Sequence, residues 1–175
     1  MRCLKKKMKL PRYKDLVVKN LDSGSIEKQG KLNHILPFLL GFLYIRGLLK
    51  AFKKDRKVLV KLVLYPLAVL ITSSVLKGLI GRKRPFEKYD ELKDHKASSL
   101  KGIRYDKERD PGMPSRHTAC ALAISLALSA VSIPLSVCSF ILAIFTAVIR
   151  MATGLHYVTD ILAGWALAAF MYLIF

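Results

Sequence analysis

Cysteine and acidic residues are both scarce in this chain, and each scarcity removes a class of chemistry. The three cysteines, Cys3, Cys120 and Cys138, have no metal-ligand spacing, and the last two fall inside apolar runs where a thiol behaves as a small hydrophobe. Twelve Asp and Glu stand against thirty Lys and Arg, a formal net charge of +18, and no carboxylate cluster is present that would hold Mg²⁺ well. No nucleic-acid-reading motif accompanies the positive charge. The first 34 residues carry ten Lys or Arg without a continuous apolar h-region, so they do not read as a cleaved signal peptide. Internal repeats and low-complexity tracts are also missing.

Apolar sequence, by contrast, is abundant. At 175 residues the length suits one domain, but a hydrophobic fraction of 53% and a mean hydropathy of +0.31 exceed the usual soluble composition and favour a bilayer as solvent. The basic residues cluster outside the apolar runs, which points to an anionic lipid surface as partner and not to nucleic acid. Residues 10 to 21 place Tyr13, Leu16, Val17 and Leu21 near one helical face, the pattern of a helix lying in the membrane interface. Asp22, Ser23, Gly24 and Ser25 then break it. Apolar runs follow at about 35 to 50, 58 to 80, 117 to 133, 135 to 152 and 156 to 175, each near the ~20 residues that cross a hydrocarbon layer.

The expected architecture is therefore all-α: a polytopic transmembrane helix bundle of five to six spans with an N-terminal interfacial amphipathic helix. Residues 1–34 form the basic amphipathic segment and 35–175 the transmembrane domain. The first run is the weakest, being short and containing Arg46. Pro134 marks a tight hairpin between the third and fourth runs. Gly78, Gly81, Gly154 and Gly164 are available for close helix approach. Tracing the chain up and down puts residue 77, residue 117 and the 150 to 156 turn at one membrane face, so polar residues from three distant segments converge.

Three clusters occupy that face. In the first, a helix would set Lys77 and Arg84 two turns apart on one side, with Pro85 ending it; alone, such residues read as cations snorkelling to the interface. In the second, Pro114 and Ser115 precede Arg116 and His117 at a helix N-terminus, whose N–H groups and dipole favour an anion. By itself this is an ordinary cap. In the third, Arg150, His156 and Asp160 lie between two apolar runs, where ionisable groups are costly unless they work. His156 and Asp160 are four apart, so a helix would bring the carboxylate to the imidazole and fix its tautomer. Together the clusters supply cations, a hydroxyl and a helix N-terminus for phosphate oxygens, with two histidines and a carboxylate for phosphoryl and proton transfer. The residues alone leave open which histidine attacks, although the Asp160 partner favours His156.

These blocks resemble the type 2 phosphatidic acid phosphatases, or lipid phosphate phosphatases, which share their site with vanadium haloperoxidases and bacterial acid phosphatases. The family signature is Lys, six residues, Arg-Pro; then Pro-Ser-Gly-His; then Ser-Arg, five residues, His, three residues, Asp. Lys77 to Arg84-Pro85 and Arg150 to His156 to Asp160 fit these spacings without a gap, and the resemblance spans about 58 to 175. Arg116 stands in place of the family glycine and Ile149 in place of the serine.

The resemblance implies a lipid phosphatase with no cofactor and no metal. His156 is then the nucleophile that forms a phosphohistidine, Asp160 its orienting partner, and His117 the acid for the leaving oxygen and the activator of water. Lys77, Arg84, Ser115 and Arg150 bind the phosphoryl oxygens; Arg116, a departure from the family pattern, offers a side chain for a second anionic group. Among small bacterial relatives the substrates are lipid A at its 1-phosphate, phosphatidylglycerol phosphate and undecaprenyl pyrophosphate; the basic N-terminus and Arg116 favour lipid A. The alternatives are a phosphotransferase passing the phosphate to another lipid, and a non-catalytic lipid-binding membrane protein. The family places its site on the periplasmic side of the bacterial inner membrane. The basic 50 to 57 loop agrees, since it belongs in the cytoplasm at the opposite end, although the N-terminus and the 81 to 113 loop are basic as well.

Overall fold

The computed structural model describes residues 23–85 and 111–175, and every regular element among them is helical. The helices are α1 (Ser23–Lys54), α2 (Arg56–Ile80), α3 (Arg116–Ser129), α4 (Ile133–Ala152) and α5 (Val158–Ile174). They correspond one for one to the five apolar runs. The expected interfacial helix at 10 to 21 lies outside the described residues. Ser23, Gly24 and Ser25 open α1, which continues without a break past residue 34.

Among the described residues, three stretches are long and apolar enough to cross a membrane: Lys31–Lys54 within α1, Arg56–Ile80 and Ile133–Ala152. The first of them corresponds to the run with the least sequence support. Its Arg46 is exposed, with its guanidinium 5.9 Å from the centre of the Phe42 ring, so the charge lies on the outside of the bundle and not in its core. The outer surface carries Phe38, Phe52, Leu79 and Leu173, each more than three-quarters exposed. A large apolar surface of this kind is stable against lipid and not against water, and the protein is an integral membrane helix bundle.

The connections are short because local chemistry stops each helix sharply. Only Asp55 separates α1 from α2; its carboxylate accepts the Lys57 N–H at 2.9 Å and caps the second helix. Residues 130 to 132 join α3 to α4, and Pro134 occupies the first turn of α4, as the expected hairpin requires.

The centre is α3, only 14 residues long and packed against α2, α4 and α5. Its Ala119, Ala121, Ala123 and Ala127 are buried, and their small side chains let the surrounding backbones close in. Leu62, Tyr65 and Val69 of α2, Leu122 and Leu128 of α3 and Ala168 of α5 complete the core. Polar ties cross it: Tyr65 Oη donates to Ala168 O at 2.7 Å and Ser136 Oγ to Ser125 O at 2.8 Å. Where water is absent, such bonds satisfy groups that would otherwise be stranded.

Of the glycines expected at close contacts, Gly164 serves that purpose: a Cβ there would lie 2.8 Å from Ser115 O and 3.2 Å from Thr118 Oγ1. Gly78 and Gly81 face open space instead. Gly81 has a different use. Its φ of 61° forms a left-handed cap that ends α2 at Ile80, with the Gly81 N–H bonded to Lys77 O. The helix therefore stops before Pro85, and Lys77 and Arg84 do not share a helical face.

Candidate active site

The end of α2, the starts of α3 and α5 and the last turn of α4 meet at one end of the bundle. Lys77 lies in the last turn of α2. The Gly81 cap then turns the chain into a non-helical stretch that carries Arg82 and Arg84. This stretch is held from the second block, since the Gly112 N–H donates to Arg82 O at 2.6 Å. Both Lys77 and Arg84 are 4% exposed. The two-turn spacing read from sequence thus leads to a shared location by a different route.

Ser115 is the N-cap of α3, but its hydroxyl makes no capping bond. Its Oγ is buried and has no hydrogen-bond partner among the described residues. A stranded hydroxyl at a helix N-terminus is costly unless a ligand accepts its proton. The Ser115 N–H is used elsewhere, donating to Asp160 O at 3.0 Å. That bond, with the close approach at Gly164, locks the start of α3 against the start of α5. Arg116 is half-buried and His117 exposed in the first turn of α3, so both stand at the rim.

Arg150 is in the last turn of α4 and is buried. A compact turn follows, with Gly154 at φ 67°. The N–H groups of Leu155 and His156 both return to Arg150 O at 3.2 Å, so the backbone itself tethers the histidine to the arginine. His156 precedes α5 and is not on the helix with Asp160, contrary to the simple four-residue helical reading. Tyr157 is the N-cap, and its N–H donates to Asp160 Oδ2 at 2.9 Å. The same oxygen lies 3.5 Å from His156 Nδ1. The pair meets because the carboxylate folds back around the helix start.

Both members of the pair are buried, His156 at 1% and Asp160 at 0% exposure. Burial, reinforced by the charges of Arg84 and Arg150, lowers the imidazole pKa, while hydrogen bonding and attraction from Asp160 oppose the shift. The net direction is downward, which keeps the ring neutral. His117 in turn lies within electrostatic reach of Arg150, His156, Arg116 and Lys77. Lys77, Arg84, Ser115, Arg116, His117, Arg150, His156 and Asp160 are all accounted for at this end of the molecule.

One participant escaped the sequence reading. Arg82 donates through Nη1 to Asp160 Oδ1 at 2.9 Å and to Thr159 Oγ1 at 2.6 Å. Its guanidinium also sits 4.5 Å from the centre of the Tyr157 ring. In sequence it is one of three consecutive basic residues, Arg82, Lys83 and Arg84, and only the block spacing singled out the last. Among the described residues no three of His, Cys, Asp and Glu gather in a group able to hold a metal ion.

Similarity to known proteins extends over most of the chain. The sequence model of the PAP2 superfamily matches residues 58–175, the stretch that contains all three blocks. Among solved structures, the first transmembrane PAP2 type phosphatidylglycerolphosphate phosphatase from Bacillus subtilis superposes with a TM-score of 0.64 at 19% identity, covering 93% of this chain and 80% of its own. At that identity the likeness is one of fold. With the family match extending over well over half of its length, the chain belongs to the PAP2 superfamily.

Proposed function

We propose that the protein hydrolyses a phosphomonoester on a strongly anionic membrane lipid, through a phosphohistidine at His156 and without a metal ion. The observation that carries this reading is the buried His156–Asp160 pair set among Lys77, Arg84 and Arg150. A donor set this rich in cations suits a phosphate and repels a divalent metal.

Asp160 holds the Nδ1–H tautomer, which leaves the Nε2 lone pair free to attack phosphorus. The P–N bond forms as the ester P–O bond breaks, and His117 gives its proton to the departing oxygen. Lys77, Arg84, Arg150 and the Ser115 hydroxyl hold the equatorial oxygens while charge shifts onto the leaving group. In the second half, His117 takes a proton from water, the water oxygen attacks phosphorus and the P–N bond breaks. Inorganic phosphate leaves, and His156 is restored.

Arg116 at the rim suits a second anionic group on the same lipid. Lipid A 1-phosphate, whose sugar backbone carries another phosphate, fits this best. Phosphatidylglycerol phosphate is favoured second, because it is the substrate named for the solved relative and also bears two phosphates. The segment around Asp55 at the far end carries Lys50, Lys53, Lys54, Arg56 and Lys57, which the bias of basic loops toward the cytoplasm places inside. The site then opens to the periplasm from a bacterial inner membrane.

The test is release of inorganic phosphate from purified lipid A, phosphatidylglycerol phosphate and undecaprenyl pyrophosphate, with and without EDTA, and with vanadate. Turnover of a doubly anionic monoester that survives EDTA and is blocked by vanadate is expected. Strict dependence on added Mg²⁺ contradicts the proposed chemistry.

A further inference from the structure

Arg82 is bound to the framework around the site on several sides. Its backbone carbonyl accepts the Gly112 N–H, and its side chain reaches Thr159, Asp160, the Tyr157 ring and, at 3.6 Å, Met113 Sδ. A single residue of the first block therefore grips both the approach to the second block and the start of the third.

The carboxylate of Asp160 is divided between two tasks. Oδ1 faces Arg82, while Oδ2 accepts the Tyr157 N–H and lies beside His156 Nδ1. A carboxylate with only one fixed oxygen can turn about its Cβ–Cγ bond. With the Arg82 bond on Oδ1 and the backbone bond on Oδ2, the plane is set and Oδ2 is kept toward the imidazole. The guanidinium is itself held by the Thr159 hydroxyl and by the Tyr157 ring.

We infer that Arg82 is a positioning residue for the phosphoryl-transfer step, acting through Asp160 to fix the orientation of the His156 imidazole, and that it makes no contact with the lipid phosphate. This rests on His156 being the nucleophile. Outer partners of this kind commonly change activity by about 10- to 100-fold when removed, although the reacting atoms remain in place.

Arg82 also offsets the negative charge that Asp160 presents to His156. The charged and titratable groups facing the imidazole are Asp160 from α5, Arg84 from the segment after α2, Arg150 from α4 and His117 from α3. Without Arg82, the carboxylate attracts the imidazolium more strongly. The acid limb of the rate profile then moves to higher pH.

The experiment is a double-mutant cycle on the full chain in detergent, comparing wild type, Arg82→Met, Asp160→Asn and the pair, with kcat, KM and the pH profile of each. Arg82→Met should lower kcat by about 10- to 100-fold with KM within about twofold, shift the acid limb upward, and cost little more in the Asp160→Asn background. Arg82→Lys, which keeps the charge but not the planar fork, should recover part of the rate; should Arg82→Met fail to fold, the same cycle is run with Arg82→Lys. Additive losses, an unchanged acid limb or a loss expressed mainly in KM overturn the inference. If instead His156→Ala remains active, the functional reading falls and not merely the role of Arg82.

Discussion

At the scale of single residues, the role proposed for His156 depends on its protonation. Its burial and the nearby Arg84 and Arg150 outweigh Asp160, so the pKa in the folded protein lies below the ordinary imidazole value of 6.5. As pH falls, the unfolded chain takes up the proton first. The contribution to stability is thus fully present above about pH 6.5 and is lost as pH drops toward the folded value. For the same reason the imidazole of His156 remains neutral in mild acid. The acid limb of kcat/KM should fall below pH 6.5, measured on the purified enzyme with a soluble phosphomonoester; a limb at or above 6.5 contradicts the electrostatic account. Arg116 tests a different property, the choice of substrate. Because it stands at the rim, Arg116→Gly should raise KM for the natural lipid several-fold more than for a short monophosphate analogue. Equal effects on both would show that it serves only the common phosphate.

At the scale of elements, the site depends on how closely α5 approaches the start of α3. A methyl group at position 164 would meet the Ser115 carbonyl at 2.8 Å, so backbone has to move. Gly164→Ala should cost about 1–3 kcal/mol of stability, read as a lowered Tm in detergent, and should reduce kcat by displacing Ser115 and Asp160 together. A variant with unchanged Tm and rate would show that the close packing has no such role. These elements also show what a sequence discloses. The five helices were legible because long apolar runs leave few alternatives, and the three blocks because their spacing is specific. The geometry behind the spacing was not. Lys77 and Arg84 converge through the Gly81 cap and a non-helical segment, and His156 meets Asp160 across a helix start, since positive φ and capping geometry depend on neighbours that a periodicity does not contain. Arg82 was hidden for another reason: a basic run shows charge, but not which guanidinium points inward.

At the scale of the whole molecule, four helix ends from distant parts of the chain meet at one end of the bundle, and the alanine-rich α3 at its centre brings them together. A membrane fold suits this task, because helices satisfied by their own backbone bonds can hold buried ionisable groups at the interface without an aqueous core. The central claim is that this assembly passes phosphate through His156, and covalent labelling tests it most directly. Enzyme mixed with radioactive phospholipid and quenched rapidly should carry acid-labile, base-stable label on His156, preserved by alkaline handling. His156→Ala should carry none and lose turnover by several orders of magnitude with its fold intact. His117→Ala, impaired in protonating the leaving oxygen, should be partly rescued by a p-nitrophenyl ester, and His156→Ala should not be rescued. Label on His117 or Ser115, or substantial turnover by His156→Ala, would contradict the account.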